Sequence, residues 1–164
     1  MARRMERARG VRRGELSPVQ KGALVFALVN VVIGIGLFAG PLVTGNQDGL
    51  INVNHGNWLG FVATDWMHAT GHLGIGVLGL LMSPSAALAR LWWAITLVVF
   101  AYLAVVGWVM AGVDPAMHIV KGLGLGMGFD LEGNILHTLW TAIALFFLFA
   151  RGRGAVRARG AAAA

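Results

Sequence analysis

Residues Arg90 to Gly112 read RLWWAITLVVFAYLAVVGWVMAG, and this stretch decides the fold class. No side chain between its first and last residues carries a formal charge. At about 1.5 Å per residue, a helix of this length covers the hydrocarbon core of a bilayer, which is about 30 Å thick. The sequence therefore predicts a membrane-spanning helix over residues 90–112.

Three further apolar runs extend this interpretation to most of the chain. They lie at residues 21–43, 59–82 and 134–150. Together the four runs predict an all-α bundle of four transmembrane helices, forming a membrane domain over residues 19–150. Each run is expected to pack against the others, because small residues recur in them at helix-contact spacing.

Composition supports a membrane protein and excludes several other classes. Of 164 residues, 57% are hydrophobic and 12% are charged, and the mean hydropathy is +0.73. Soluble chains carry about 25% charged residues, so a soluble enzyme is excluded. The chain has no cysteine, which excludes disulfides, thiolate metal sites and dithiol chemistry.

The net charge of +6 is concentrated at the ends of the apolar runs. Apart from Lys121, every lysine and arginine lies before or at the start of the first run, follows the last run, or is Arg90 at the start of the third. Basic residues favour the cytoplasmic flanks of membrane spans. The sequence thus predicts a multi-pass protein of the cell membrane with basic cytoplasmic tails at residues 1–18 and 151–164. No nucleic-acid partner is expected.

Tryptophans follow the same pattern. Trp92 and Trp93 come directly after Arg90. Aromatic rings of this kind favour the headgroup level of a bilayer. The two residues are therefore expected to mark the inner membrane interface.

Polar residues inside the apolar runs provide the candidate site. Asp65, His68 and His72 are spaced i, i+3 and i+7, which places them on one face of a helix. His137 lies about one turn inside the fourth run, so we expect it at a depth similar to that of His72. Ionisable residues are costly inside a membrane and usually serve a function.

Neutral imidazole binds haem iron, zinc or copper. His72, His137 and His68 are therefore candidate ligands of a haem, a chlorophyll or a metal ion. A zinc peptidase is not expected, because Ala69 stands where the catalytic glutamate of such a helix should follow the first histidine. The sequence offers no other catalytic set, and no enzymatic activity is predicted.

A structural role is the competing interpretation of the polar residues. Hydrogen bonds between helices hold bundles together, at about 0.6 kcal/mol per bond in a membrane. Asp65, Asn30 and Asn134 are the candidates for such bonds.

The second and fourth runs open alike. Asp65-Trp-Met-His68 and Asn134-Ile-Leu-His137 each place a polar residue three positions before a histidine. This match favours two parallel two-helix repeats related by an axis along the membrane normal.

Three stretches resemble the bacterial four-helix membrane protein family catalogued as domain of unknown function 4383. They are Ser17-Pro18-Val19-Gln20, the paired-histidine stretch Trp66–Gly74, and Asn134-Ile135-Leu136-His137. The resemblance covers about residues 17–150 and implies a four-helix inner-membrane protein. It implies no activity and no ligand.

The sequence favours an accessory or structural subunit that packs against lipid, against itself as a homo-oligomer, or in a larger membrane complex. One alternative is a membrane protein that binds a tetrapyrrole or a metal through histidines. Another is a small channel or transporter, in which Asn30, Thr96 and the histidines of the second run would supply a polar path.

Overall fold

The computed structural model describes residues 16–46, 48–113 and 131–149. Within these residues the chain forms four α-helices, which are α1 (Pro18–Phe38), α2 (Trp66–Met82), α3 (Ala86–Val113) and α4 (Leu131–Phe149). The predicted basic tails, except residues 16–18, lie outside the described residues.

Three of the four helices are long and apolar enough to cross a membrane. They are α1, the Ala86–Val109 part of α3, and α4. The second predicted span differs from the structure, because α2 begins at Trp66 and has 17 residues instead of starting near Leu59. The all-α class is confirmed at this coarser level, with four helices of which three are of spanning length.

A small antiparallel sheet precedes α2 and explains its late start. Its strands are β1 (Val43–Thr44), β2 (Gly56–Trp58) and β3 (Val62–Thr64), in the order β1-β2-β3. The three residues 59–61 join β2 to β3, and Leu59 and Gly60 have positive φ, at 52° and 85°. Positive φ values at the turn suit the twist of a hairpin, so residues 62–64 pair in the sheet and do not extend the helix.

The start of α1 is fixed by the residues that carry the first part of the family resemblance. Ser17 is the N-cap, and Gln20 completes a capping box by accepting from the Ser17 backbone N–H at 3.1 Å. The Gln20 side-chain nitrogen also donates to the carbonyl of Pro84 at 2.7 Å. One glutamine thereby caps α1 and joins it to the turn between α2 and α3.

The apolar core lies at this end of the bundle. Phe26, Trp92 and Trp93 pack against one another with ring centroids 4.8–6.0 Å apart. The Trp93 indole donates to the carbonyl of Val19 at 3.1 Å, and both tryptophans are fully buried. Both indole N–H groups therefore bond to neighbouring helices inside the protein and not to lipid headgroups, and the predicted depth at the inner membrane interface stays a prediction.

Helices α1 and α2 approach each other backbone to backbone. A Cβ added at Gly76 would lie 2.7 Å from the backbone nitrogen of Val31, and one added at Gly34 would lie 2.7 Å from that of Leu73. Both distances are too short for a side chain, so glycine is required for this contact.

A variant at Gly76 tests this contact. We expect Gly76→Ala to destabilise the bundle by about 1–3 kcal/mol, because the new methyl group meets backbone atoms that cannot rotate away. Gly74→Ala is the matched control, since a Cβ there has nothing within 4 Å. Thermal unfolding in detergent gives the comparison, and equal melting temperatures for the two variants would contradict the close approach.

The loop between β1 and β2 is organised by one carboxylate. Asp48 accepts from the backbone N–H groups of Val53 and Asn54, both at 3.0 Å, and from the Asn54 side chain at 2.7 Å. The backbone hydrogen bonds from Val53 and Asn54, in that order of effect, lower the pKa of Asp48 below its ordinary value.

The loop should therefore loosen only below the ordinary pKa of an aspartate. A lowered pKa in the folded state means that the stabilisation is present above the unfolded pKa of about 3.9 and is lost as pH falls through the folded value. An NMR titration of the Val53 and Asn54 amide shifts should show a midpoint below the ordinary aspartate value. Asp48→Asn should remove the titration, and a midpoint at or above the ordinary value would overturn the assignment.

Candidate metal centre

Three histidines meet between α2 and α4. His68 and His72 come from α2, and His137 comes from α4. One ring nitrogen from each lies within 4.8 Å of the others, and the three residues are 5–9% exposed. The structure thus brings together all three histidines that the sequence selected as cofactor ligands.

Asp65 and strand β3 position His68. The Asp65 carboxylate caps α2 by accepting from the His68 backbone N–H at 2.9 Å. Its second oxygen lies 3.6 Å from Nδ1 of His55. The His68 ring places Nδ1 3.0 Å from the carbonyl oxygen of Ala63. Since a carbonyl oxygen can only accept, His68 Nδ1 carries the proton and donates it.

Asn30 on α1 positions His72. The Asn30 side-chain nitrogen donates to the carbonyl of Phe26 at 2.8 Å, which fixes the orientation of the amide. The amide oxygen then faces His72 Nδ1 at 2.8 Å and accepts its proton. Asn30 is fully buried, so this bond joins α1 to α2 inside the bundle.

These two hydrogen bonds determine whether the Nε2 atom of each ring carries a proton. A neutral imidazole carries one proton, and in both rings that proton is on Nδ1. The two Nε2 atoms therefore present lone pairs, and they lie only 3.2 Å apart. Two facing lone pairs at this distance repel unless a cation lies between them. A proton on one Nε2 would also relieve the repulsion, at the cost of a positive charge on a buried ring.

A metal ion fits this arrangement. Two nitrogen ligands at about 2.05 Å from a tetrahedral ion lie about 3.3 Å apart, close to the observed 3.2 Å. Hydrogen bonds from Nδ1 to a carbonyl or amide oxygen are also the usual way in which proteins orient histidine ligands. A ring nitrogen of His137 lies within 4.8 Å of the other two and would be the third ligand.

A haem between His68 and His72 does not fit. Two axial nitrogens on opposite sides of one iron are about 4 Å apart, at about 2 Å per bond. The observed separation is shorter, and the two rings belong to successive turns of one helix. The geometry favours a small ion over a tetrapyrrole at this pair.

The remaining polar residues divide into two groups. Asp65 and Asn30 bond directly to His68 and His72, as described above. Asn134 lies one turn before His137 and is fully buried. Among the described residues its side chain has no hydrogen-bond partner, so the structure gives it no bond between helices. Thr96 is likewise fully buried, and its hydroxyl has no partner in the described part of the chain.

Two apolar cavities flank the histidines. One of about 380 Å³ lies between α2, α3 and α4, and one of about 250 Å³ lies toward β3 and α1. All three histidines line both cavities. The Phe100 ring, 3% exposed, sits 5.9 Å from the His72 ring and 5.8 Å from the His137 ring. The cluster is therefore enclosed by apolar groups.

A family model described as a domain of unknown function (DUF4383) matches residues 20–150. The chain belongs to this family. The resemblance inferred from the three sequence stretches is thereby confirmed. No curated protein and no solved structure matches this DUF4383 protein.

Sequence reasoning missed two contributors to the site. Ala63 acts through its backbone carbonyl, so its side-chain identity carries no signal. Phe100 is one apolar residue among many in α3, and its spacing does not distinguish it. Only the three-dimensional packing places both beside the histidines.

The bond between Asn30 and His72 can be measured by a double-mutant cycle. Asn30→Ala and His72→Ala should show a coupling of about 0.6 to 1.7 kcal/mol, since either change removes the same hydrogen bond. Ser83→Ala with His72→Ala is the control pair, because Ser83 bonds within its own helix turn, to Leu80. Unfolding free energies in mixed micelles give the values, and a coupling no larger than that of the control pair would contradict the bond.

Proposed function

We propose that this DUF4383 protein is a multi-pass membrane protein that binds one transition-metal ion through His68, His72 and His137. The observation that carries the proposal is the pair of Nε2 atoms 3.2 Å apart, each on a ring whose Nδ1 donates elsewhere. A cation between them removes the repulsion and uses nitrogen ligands that are already oriented.

The ligand set limits the choice of ion. Imidazole suits zinc, copper, iron and nickel, whereas magnesium and calcium require oxygen ligands. The three imidazole ligands are neutral, so they do not compensate the positive charge of the ion. The buried Asp65 carboxylate, bonded to the His68 backbone, offsets part of that charge. The proposal is a binding function without catalysis.

The membrane arrangement is part of the proposal. Helix α2, with 17 residues, reaches about 25 Å at 1.5 Å per residue, which is near the lower limit for a span. It packs against α1, which is of spanning length. We therefore propose four crossings in the cell membrane. The basic residues at both ends of the chain support cytoplasmic termini.

Metal content and cobalt binding test the site. Protein purified in mild detergent should bind one equivalent of Co²⁺, with visible absorption bands of a tetrahedral nitrogen site, and one equivalent of Zn²⁺ should displace it. His72→Ala and His137→Ala should each abolish the bands. Asn30→Ala should weaken binding about 10- to 100-fold, because it removes the bond that orients His72.

His55→Ala is the matched control. Its side chain is 65% exposed and it lies outside the cluster, so the variant should bind cobalt like the wild type. Melting temperatures establish that each variant is folded. Cobalt binding that survives replacement of all three clustered histidines would refute the proposal.

The second candidate is an accessory subunit in which the polar network only holds the bundle together. The Asn30–His72 bond supports it, since that bond joins two helices without any ion. It predicts a metal-free protein that copurifies with a stoichiometric membrane partner or forms a homo-oligomer. A channel has less support, because the two cavities beside the histidines have almost entirely apolar walls.

A further inference from the structure

A groove lies on the outside of the bundle between α1 and α4, and none of the three clustered histidines lines it. It has a volume of about 560 Å³. The buried Phe26 ring forms its floor, and the half-buried rings of Trp140 and Phe147 form the α4 side. Val25 and Val29 form the α1 side and are 61% and 38% exposed. The groove is therefore apolar and open to the surroundings of the helices.

The surroundings of this groove are the acyl chains of a bilayer. Both helices that form it are long and apolar enough to cross a membrane. From Lys21 to Val29 the groove follows α1 over about 12 Å, at about 1.5 Å per residue. One leaflet of the hydrocarbon core is about 15 Å deep, half of the whole core. The groove thus has the length of an acyl chain that lies in one leaflet.

One end of the groove carries a positive charge. Lys21 lines it from the first turn of α1, is exposed, and forms no ion pair within residues 16–46, 48–113 and 131–149. The acidic residues of these ranges all lie toward the opposite end of the bundle, and they are Asp48, Asp65 and Glu132. A lysine at the start of a spanning helix lays its stem along apolar surface and extends its ammonium group to the head groups. The charge of Lys21 is therefore not matched by a carboxylate in the described part of the chain.

We propose that this groove binds one anionic phospholipid, with the phosphate at Lys21 and an acyl chain along Phe26 and Trp140. Basic pockets between transmembrane helices bind anionic head groups in this way. The arginine-rich sequence at both ends of the chain attracts the same lipids. A phosphatidylcholine would fill the same apolar space, but its head group is neutral overall and gains less at the lysine. The inference uses only the crossing of α1 and α4 from the proposed function and is independent of the metal ion.

Quenching by brominated lipids tests the inference, because Trp140 in the groove wall serves as the reporter. Full-length protein is reconstituted in vesicles of phosphatidylcholine and phosphatidylglycerol, and one of the two lipids carries bromine on its chains. The difference between wild type and Trp140→Phe isolates the emission of Trp140. Phosphatidylglycerol should be preferred beside Trp140 by about fivefold, the strength expected of one lysine near anionic lipid. Equal quenching by the two lipids would overturn the inference.

Two charge variants separate the groove from general attraction to the basic surface. Lys21→Gln should abolish the preference for phosphatidylglycerol. Arg90→Gln is the matched control, because Arg90 is an exposed cation near the start of α3, at the same end of the bundle, and does not line the groove. It should keep the preference of the wild type. An equal loss in both variants would show that surface charge alone attracts the lipid, and the inference would fail.

Two bulky variants test whether the chain lies in the groove. Val25→Phe should reduce the quenching of Trp140 by either lipid, because the larger ring occupies the α1 side. Val105→Phe is the control, since Val105 is 63% exposed on α3 and does not line the groove. If wild-type Trp140 is quenched by neither lipid and the protein is dimeric in the vesicles, a second copy fills the groove and the inference is wrong.

Cobalt binding, measured on the same samples, keeps this test separate from the proposed function. Lys21→Gln should bind cobalt like the wild type, because no residue of the histidine cluster is changed. Cobalt binding without a lipid preference would refute the lipid site alone. A lipid preference without cobalt binding would support the lipid site and refute the metal site alone.

Discussion

The backbone contact between α1 and α2 is the constraint on which the rest of the structure depends. Gly34 and Gly76 let the two helices meet without side chains between them. At this short distance the Asn30 amide reaches the His72 ring and fixes its proton on Nδ1. A wider separation would break that bond and leave the ring free to turn. The chemistry of the histidine cluster is thus determined by two residues that have no side chain.

The face of α2 that carries the histidines also carries the close-packing glycines. His68, His72, Gly76 and Gly79 are all buried on it. The histidines lie near the capped start of the helix and the glycines toward its end. This division separates the molecule into a polar half beneath the sheet and an apolar half built around Trp92 and Trp93. Cavities lie in both halves, since one of about 560 Å³ adjoins Phe26 on the outer side of α1 and α4.

Much of this arrangement was predictable from local sequence patterns. Long apolar runs determine the helices, and the i, i+3, i+7 spacing places Asp65, His68 and His72 on one face. The sequence also predicted that His137 would lie near His72, because the two histidines were expected at a similar depth on neighbouring helices. The sheet before α2 was not predictable in the same way, because Val62 and its neighbours are as apolar as a helix start. The burial of Trp92 and Trp93 was also missed, because a tryptophan beside a basic residue has the same sequence signature whether its N–H group meets water or a buried carbonyl.

The bond from Gln20 to Pro84 has a consequence for the assembly of the protein. Its two ends are 64 residues apart along the chain, so α1 is made long before its partner carbonyl exists. During synthesis this bond can form only after the turn that follows α2 has been made. The histidine cluster is completed later still, when the last helix arrives with its third nitrogen. The three histidines can therefore come together only after the last helix has been made.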